Sequence, residues 1–136
     1  MTPFRYRRRV HFHETDLAGI VHFSSFFKYM EEAEHALWRA AGLTIPRVGA
    51  EIGWPRVSAA FDFRSPLRFE DEFEVIVRIA TISKRTIEYV FEIVRGDERI
   101  GEGSLTAACV STQAGRMRSV AVPDDIAEKL RAASKD

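Results

Sequence analysis

SSFFKYMEEAEHALWRAAG, residues 24–42, changes the period of the chain. Phe26, Phe27, Met30, Ala33, Leu37, Trp38 and Ala41 recur at helical spacing. Ser24 or Ser25 can cap the start and Gly42 can end it. The apolar face is broad and aromatic, so a helix over residues 24–41 is expected to be the core element.

The segments around it read as strands. FRYRRRVHFH, residues 4–13, alternates, with Phe4, Tyr6, Val10 and Phe12 on one face and Arg5, Arg7, Arg9, His11 and His13 on the other. The arginine cluster among the first nine residues is thereby assigned to a solvated strand face. After a loop with Pro46, Gly49, Gly53 and Pro55 come RVSAAFDFR (56–64), FEVIVRIAT (73–81), TIEYVFEIV (86–94), IGEGSLTAACVST (100–112) and MRSVAV (117–122). Phe73, Val75, Val77 and Ile79 are expected to face the same way as Ile87, Tyr89, Phe91 and Ile93. A short helix in PDDIAEKLRAA (123–133) closes the chain. One helix followed by strands in short hairpins predicts an antiparallel meander and an α+β fold. Gly101, Gly103, Ala107 and Ala108 lack bulk, so another backbone or the helix can approach their strand closely. A single helix covers one sheet face, which leaves the other face or an edge strand for a second copy.

The 136 residues suit one domain over 1–136, with 46% hydrophobic and 29% charged residues and no repeat or internal boundary. Twenty basic residues balance twenty acidic ones, so no global field favours nucleic acid or an anionic membrane. The one cysteine, Cys109, excludes an internal disulfide and a Cys-based zinc site. With no signal peptide and no bilayer-length apolar run, the expected location is the cytoplasm.

ETDLAGIVHFSS, residues 14–25, joins the first strand to the helix and holds Asp16 in an apolar setting. Helix N-terminal N–H groups lack intrahelical partners and sit at the positive end of the dipole. A carboxylate beside such donors suits acyl transfer: the donors polarise a carbonyl, and the acid attacks it or activates a water. Gly19 fits a sharp turn. The plainer alternative is that Asp16 only fixes a loop.

ETDLAGIVHFSSFFKYMEEAEHALWRAAGL resembles the opening motif of hotdog-fold acyl-CoA thioesterases of the 4-hydroxybenzoyl-CoA thioesterase family, relatives of the Tol-Pal-associated thioesterases. The resemblance continues through SAAFDFRSPLRFEDEFEV, ISKRTIEYVFEIV and RMRSVAVPDDI, nearly the whole chain. It implies a hotdog fold, a long central helix wrapped by an antiparallel sheet, assembled as a homodimer or homotetramer. It also implies hydrolysis of an acyl-CoA to a carboxylic acid and coenzyme A, without a cofactor or metal. By the same resemblance Asp16 takes the catalytic carboxylate position and the N–H of Phe23 the carbonyl-polarising one. Ser83, Lys84 and Arg85 fall where coenzyme A phosphates are received, while Gly19, whose backbone lets a ligand come close, and His22 are expected to border the substrate. The Tol-Pal branch has an aromatic-His pair where this chain has His22 then Phe23, so no histidine role passes to Phe23. Three rivals are a metal site drawn from His11, His13, Asp16 and His22, a noncatalytic acyl-CoA or small-ligand binder on the same fold, and the hydratase branch of the fold, whose usual Asp/His pattern is not evident here.

Overall fold

The computed structural model describes residues 3–134. Strand β1 (Phe4–Arg9) leads through a 3-10 turn (Phe12–Glu14) to helix α1 (Ser25–Ala40). Then follow β2 (Ile52–Gly53), β3 (Arg56–Phe63), β4 (Glu72–Ile82), β5 (Thr86–Arg95), β6 (Glu98–Ala108), β7 (Val110–Ser111), β8 (Arg118–Ser119) and helix α2 (Asp124–Ala133). The main sheet is antiparallel in the order β1-β4-β5-β6-β3, and β2-β7-β8 form a small second sheet. This is the long helix against an antiparallel sheet that the hotdog resemblance implied. The simple meander is corrected: only β4, β5 and β6 run consecutively, while β3 crosses to the far side of β6.

Phe26, Tyr29, Met30, Ala33 and Leu37 of α1 are buried with Val75 and Val77 of β4 and Ile87, Tyr89, Phe91 and Ile93 of β5. The expected faces of β4 and β5 therefore hold. The small residues of β6 do what their lack of bulk suggested. A Cβ on Gly101 would stand 2.5 Å from the Phe61 ring, and one on Gly103 would stand 2.6 Å from the Ala60 carbonyl and 2.8 Å from Met30 Sδ. Strand and helix both approach there. The opposite sheet face carries ion pairs such as Arg5–Glu74, Arg7–Glu74 and Arg99–Glu92, so it is solvated. Among the described residues no helix is long and apolar enough to cross a membrane.

The first strand departs from expectation in two ways. Arg8 has the same parity as Phe4 and Tyr6, so its guanidinium points inward and is only 11% exposed. The strand then stops at Arg9, and the 3-10 turn rotates Phe12 outward to 73% exposure against Phe69 while carrying Glu14 inward. The MRSVAV strand is likewise cut to two residues. Val120 and Val122 instead donate their N–H groups to Cys109 and Lys84 carbonyls.

Candidate functional site

Residues 14–25 form a small hairpin between β1 and α1. Thr15 bridges Val21, Asp16 N donates to Ile20 O at 2.9 Å, and Gly19 N returns to Asp16 O at 3.0 Å. Gly19 has φ 79°, a left-handed conformation that closes such a turn without a Cβ clash. Asp16 is half-buried, and its Oδ1 accepts the Ala18 N–H at 2.8 Å. That bond steadies the loop, as the plainer alternative requires, and leaves the other carboxylate oxygen without a hydrogen bond among the described residues.

The helix start is set by His22 rather than by a serine hydroxyl. His22 Nδ1 accepts the Ser24 N–H at 3.2 Å and meets Ser24 Oγ at 2.7 Å, and its ring stacks on Phe23. Neither Ser24 nor Ser25 caps α1 through its side chain. The surrounding N–H groups are each engaged: Val21 with Leu67 O, His22 with Glu14 O, Ser25 with His22 O, and Phe26 with Phe23 O. Among the described residues the Phe23 N–H has no acceptor. Asp16, Gly19, His22 and Phe23 thus share one elbow, with an anion and an unoccupied donor in it.

Beneath the elbow lies a cluster absent from the expectations. Glu14 Oε1 accepts the His11 N–H at 2.8 Å, the Tyr29 hydroxyl at 2.9 Å and Arg8 Nη1 at 3.0 Å, while Arg8 Nη2 reaches Oε2. Arg8 Nε also donates to Glu32 at 2.9 Å. Burial alone would push the Glu14 carboxyl up, but Arg8, the His11 N–H and Tyr29 outweigh it and hold it down at about 2, against 4.5 for a free side chain. A carboxyl depressed on folding adds stability present above its unfolded pKa and lost as pH falls from 4.5 towards about 2. The shift corresponds to on the order of 3 kcal/mol. Chemical denaturation of wild type and Glu14→Gln should therefore give stabilities that differ near neutrality and converge as pH approaches about 2.

The metal rival changes its members. His11, His13 and Glu14 bring ligand atoms within 4.8 Å of one another, whereas Asp16 and His22 are not in that group. Glu14 already answers four donors there, which weakens it as a ligand.

Ser83, Lys84 and Arg85 are exposed in the β4–β5 turn and are not at the elbow. Arg9 pairs with Glu72 and Phe4 with Val77, so the elbow follows the Glu72 end of β4 and the basic turn follows its Ile82 end. The eleven residues of β4 separate them by about 35 Å. Lys84 and Arg85 carbonyls bond Val122 and Cys109 N–H groups, which brings the exposed Arg116 and Arg118 segment to the same end. Those two arginines were not singled out in the sequence, although RMR beside a turn was a visible signal. At that end too lies a groove of about 230 Å³ lined by His35, Trp38, Ile45, Pro46, Trp54 and Arg56, with the acids Glu31 and Glu34 also in its wall.

Residues 10–130 match the family described as the Thioesterase-like superfamily. A protein of Aquifex aeolicus named "Putative esterase" is 32% identical over 132 residues, covering 95% of this chain and 98% of that one. A 1,4-dihydroxy-2-naphthoyl-CoA hydrolase of Trichodesmium erythraeum is 32% identical over 92 residues, covering 66% and 67%. The crystal structure of a 1,4-dihydroxy-2-naphthoyl-CoA thioesterase from Synechocystis superposes with a TM-score of 0.85 at 21% identity, over 93% of this chain and 94% of that one. These relatives are named for a dihydroxynaphthoyl thioester or for no substrate, and not for 4-hydroxybenzoyl-CoA.

Proposed function

The chain belongs to the Thioesterase-like superfamily, and from that premise we propose that it hydrolyses an acyl-CoA thioester, with Asp16 carrying the chemical step. The observation behind this is the elbow itself. A half-buried carboxylate with one uncommitted oxygen lies on the same 14–25 segment as the Phe23 N–H, which lacks an acceptor among the described residues. The thioester carbonyl oxygen accepts from Phe23 N–H, charge builds on it as the tetrahedral intermediate forms, and the helix N-terminus stabilises that charge. Asp16 attacks the carbonyl carbon or takes the proton of an attacking water, and the thiolate of coenzyme A leaves. Gly19 and His22 bound the approach.

Coenzyme A phosphates are assigned to Lys84 and Arg85, with Ser83 beside them, as charge-assisted contacts. Within one chain that end lies a strand length from Asp16, so one substrate cannot engage both. Strand β3 supplies the remedy. It is the edge of the main sheet, and Val57 and Phe63 on it are 61% and 50% exposed. Arg56 pairs with Ala107, and Phe63 with Gly101, so β3 runs from the basic end to the elbow end. Antiparallel pairing with β3 of a second copy reverses that direction and sets one copy's elbow beside the other's basic turn and tryptophan groove. A homodimer is therefore the proposed working unit, and the groove accepts the acyl group. Relatives named for a naphthoyl thioester fit its Trp38 and Trp54 walls.

The test is release of free coenzyme A thiol from aromatic and aliphatic acyl-CoAs by wild type and by Lys84→Ala/Arg85→Ala. The double variant should raise KM about tenfold or more with kcat nearly unchanged, and should flatten the salt dependence. No turnover of any acyl-CoA would refute the reading. An equal loss on short thioesters lacking phosphates would refute the phosphate assignment.

A further inference from the structure

We propose that Glu14 is the positioning residue of the elbow, its locked carboxylate setting where Asp16 and the Phe23 N–H stand relative to each other. This rests on the reading of Asp16 given above. Between residues 11 and 20 only Glu14 is buried; His11, Phe12, His13, Leu17, Ala18 and Gly19 are exposed. Its side chain is therefore the interior anchor of the loop on the incoming arm. It is held from two elements at once, by Arg8 of β1 and Tyr29 of α1. The outgoing arm hangs on the same residue, because the Glu14 carbonyl accepts the His22 N–H at 2.8 Å and faces Ser25 Oγ at 3.5 Å. Asp16 lies two residues beyond Glu14 along one arm, and Phe23 one residue beyond His22 along the other. Phe23 is also tied to the helix, its carbonyl accepting the Phe26 N–H, so a movement of Glu14 displaces Asp16 relative to the Phe23 N–H.

The chemistry of the lock makes the substitution informative. Glu14→Gln keeps the size but turns one acceptor oxygen into a donor. In one amide orientation the new NH₂ faces Arg8 Nη2; in the other it displaces the acceptor of the His11 N–H and the Tyr29 hydroxyl. Either way the elbow must shift to relieve a donor-on-donor contact. Glu32 is the natural comparison. It shares Arg8 and also accepts the Tyr6 hydroxyl, yet it sits on α1 and among the described residues bonds to no residue of the 14–25 segment.

The experiment measures kcat, KM and thermal melting of wild type, Glu14→Gln, Tyr29→Phe, Glu32→Gln and Asp16→Asn on the best acyl-CoA substrate. Glu14→Gln should lose kcat by about 30- to 100-fold with KM within about threefold, since a misplacement near 1 Å costs that much. Tyr29→Phe removes one bond of the lock and should lose kcat by about fivefold, and Glu32→Gln should change it by less than about threefold. A folded Glu14→Gln enzyme turning over like wild type overturns the proposal. Equal kcat losses in Glu14→Gln and Glu32→Gln do so too, because the network would then be acting only as scaffold. Should Glu14→Gln fail to fold, an unchanged kcat in Tyr29→Phe overturns it equally. Normal turnover by Asp16→Asn would instead remove the reading on which the proposal stands, an outcome separate from the others.

Discussion

Asp16→Asn should abolish nearly all turnover, with kcat reduced by about three to four powers of ten and acyl-CoA binding largely kept. The variant is well suited to the question. Asparagine keeps an oxygen for the Ala18 N–H, which Asp16 Oδ1 accepts at 2.8 Å, so the turn closed by Gly19 persists. The anion alone is lost. An amide neither attacks a thioester carbonyl efficiently nor takes a proton from water. A single turnover in ¹⁸O-water tests for the nucleophile. Label in the Asp16 carboxylate requires an acyl–Asp16 anhydride opened at the Asp16 carbonyl, whereas direct water attack, like opening at the acyl carbon, labels only the released acid. Near-normal rates in Asp16→Asn would reduce the elbow to a structural loop.

Arg56→Met should be strongly destabilising, costing about 3–4 kcal/mol and lowering Tm by roughly 10 °C or more. Glu34 lies on α1 at 2% exposure, and Arg56 of β3 donates to both of its carboxylate oxygens as well as to Glu31 at 3.1 Å. Beside the pair the Trp38 indole N–H donates to the Tyr89 hydroxyl at 2.9 Å, and burial, with the charge of Glu34, pushes that hydroxyl's pKa up. Removing the guanidinium leaves the nearly buried Glu34 carboxylate without its cation. The double variant Arg56→Met/Glu34→Leu should recover most of the loss, since replacing both partners with apolar groups avoids the stranded charge. Equal destabilisation of single and double variants in urea titrations would contradict this account.

The helix and the inward faces of β4 and β5 were legible because a buried element repeats its apolar residues at its own period. The same parity applied to Arg8, against the solvated face given to the other arginines: it stands in register with Phe4 and Tyr6, so it had to enter the interior. Its partners, Glu14 on a turn and Glu32 on a helix, had no local signal tying them to it. Tyr29 and Glu34 shared the helical face of Met30 and Leu37, but their polar atoms disguised it. The crossing of β3 to the outside of β6 was invisible in short-range pattern, because hairpin turns specify neighbours and not the far edge. The elbow residues could be gathered from adjacency alone. The distance from them to Lys84 and Arg85 needed the strand register.

The two borders of the main sheet are unlike. Border strand β1 turns Arg5, Arg7 and Arg9 outward, whereas β3 offers Val57, Ala59, Ala60 and Phe63 with little charge. Charged side chains on a border strand discourage stray pairing, and a long, sparsely charged one invites it. A newly made chain is therefore guarded on one side and adhesive on the other. In the proposed homodimer a second copy covers that side, and a chain made without one leaves β3 open to misassembly.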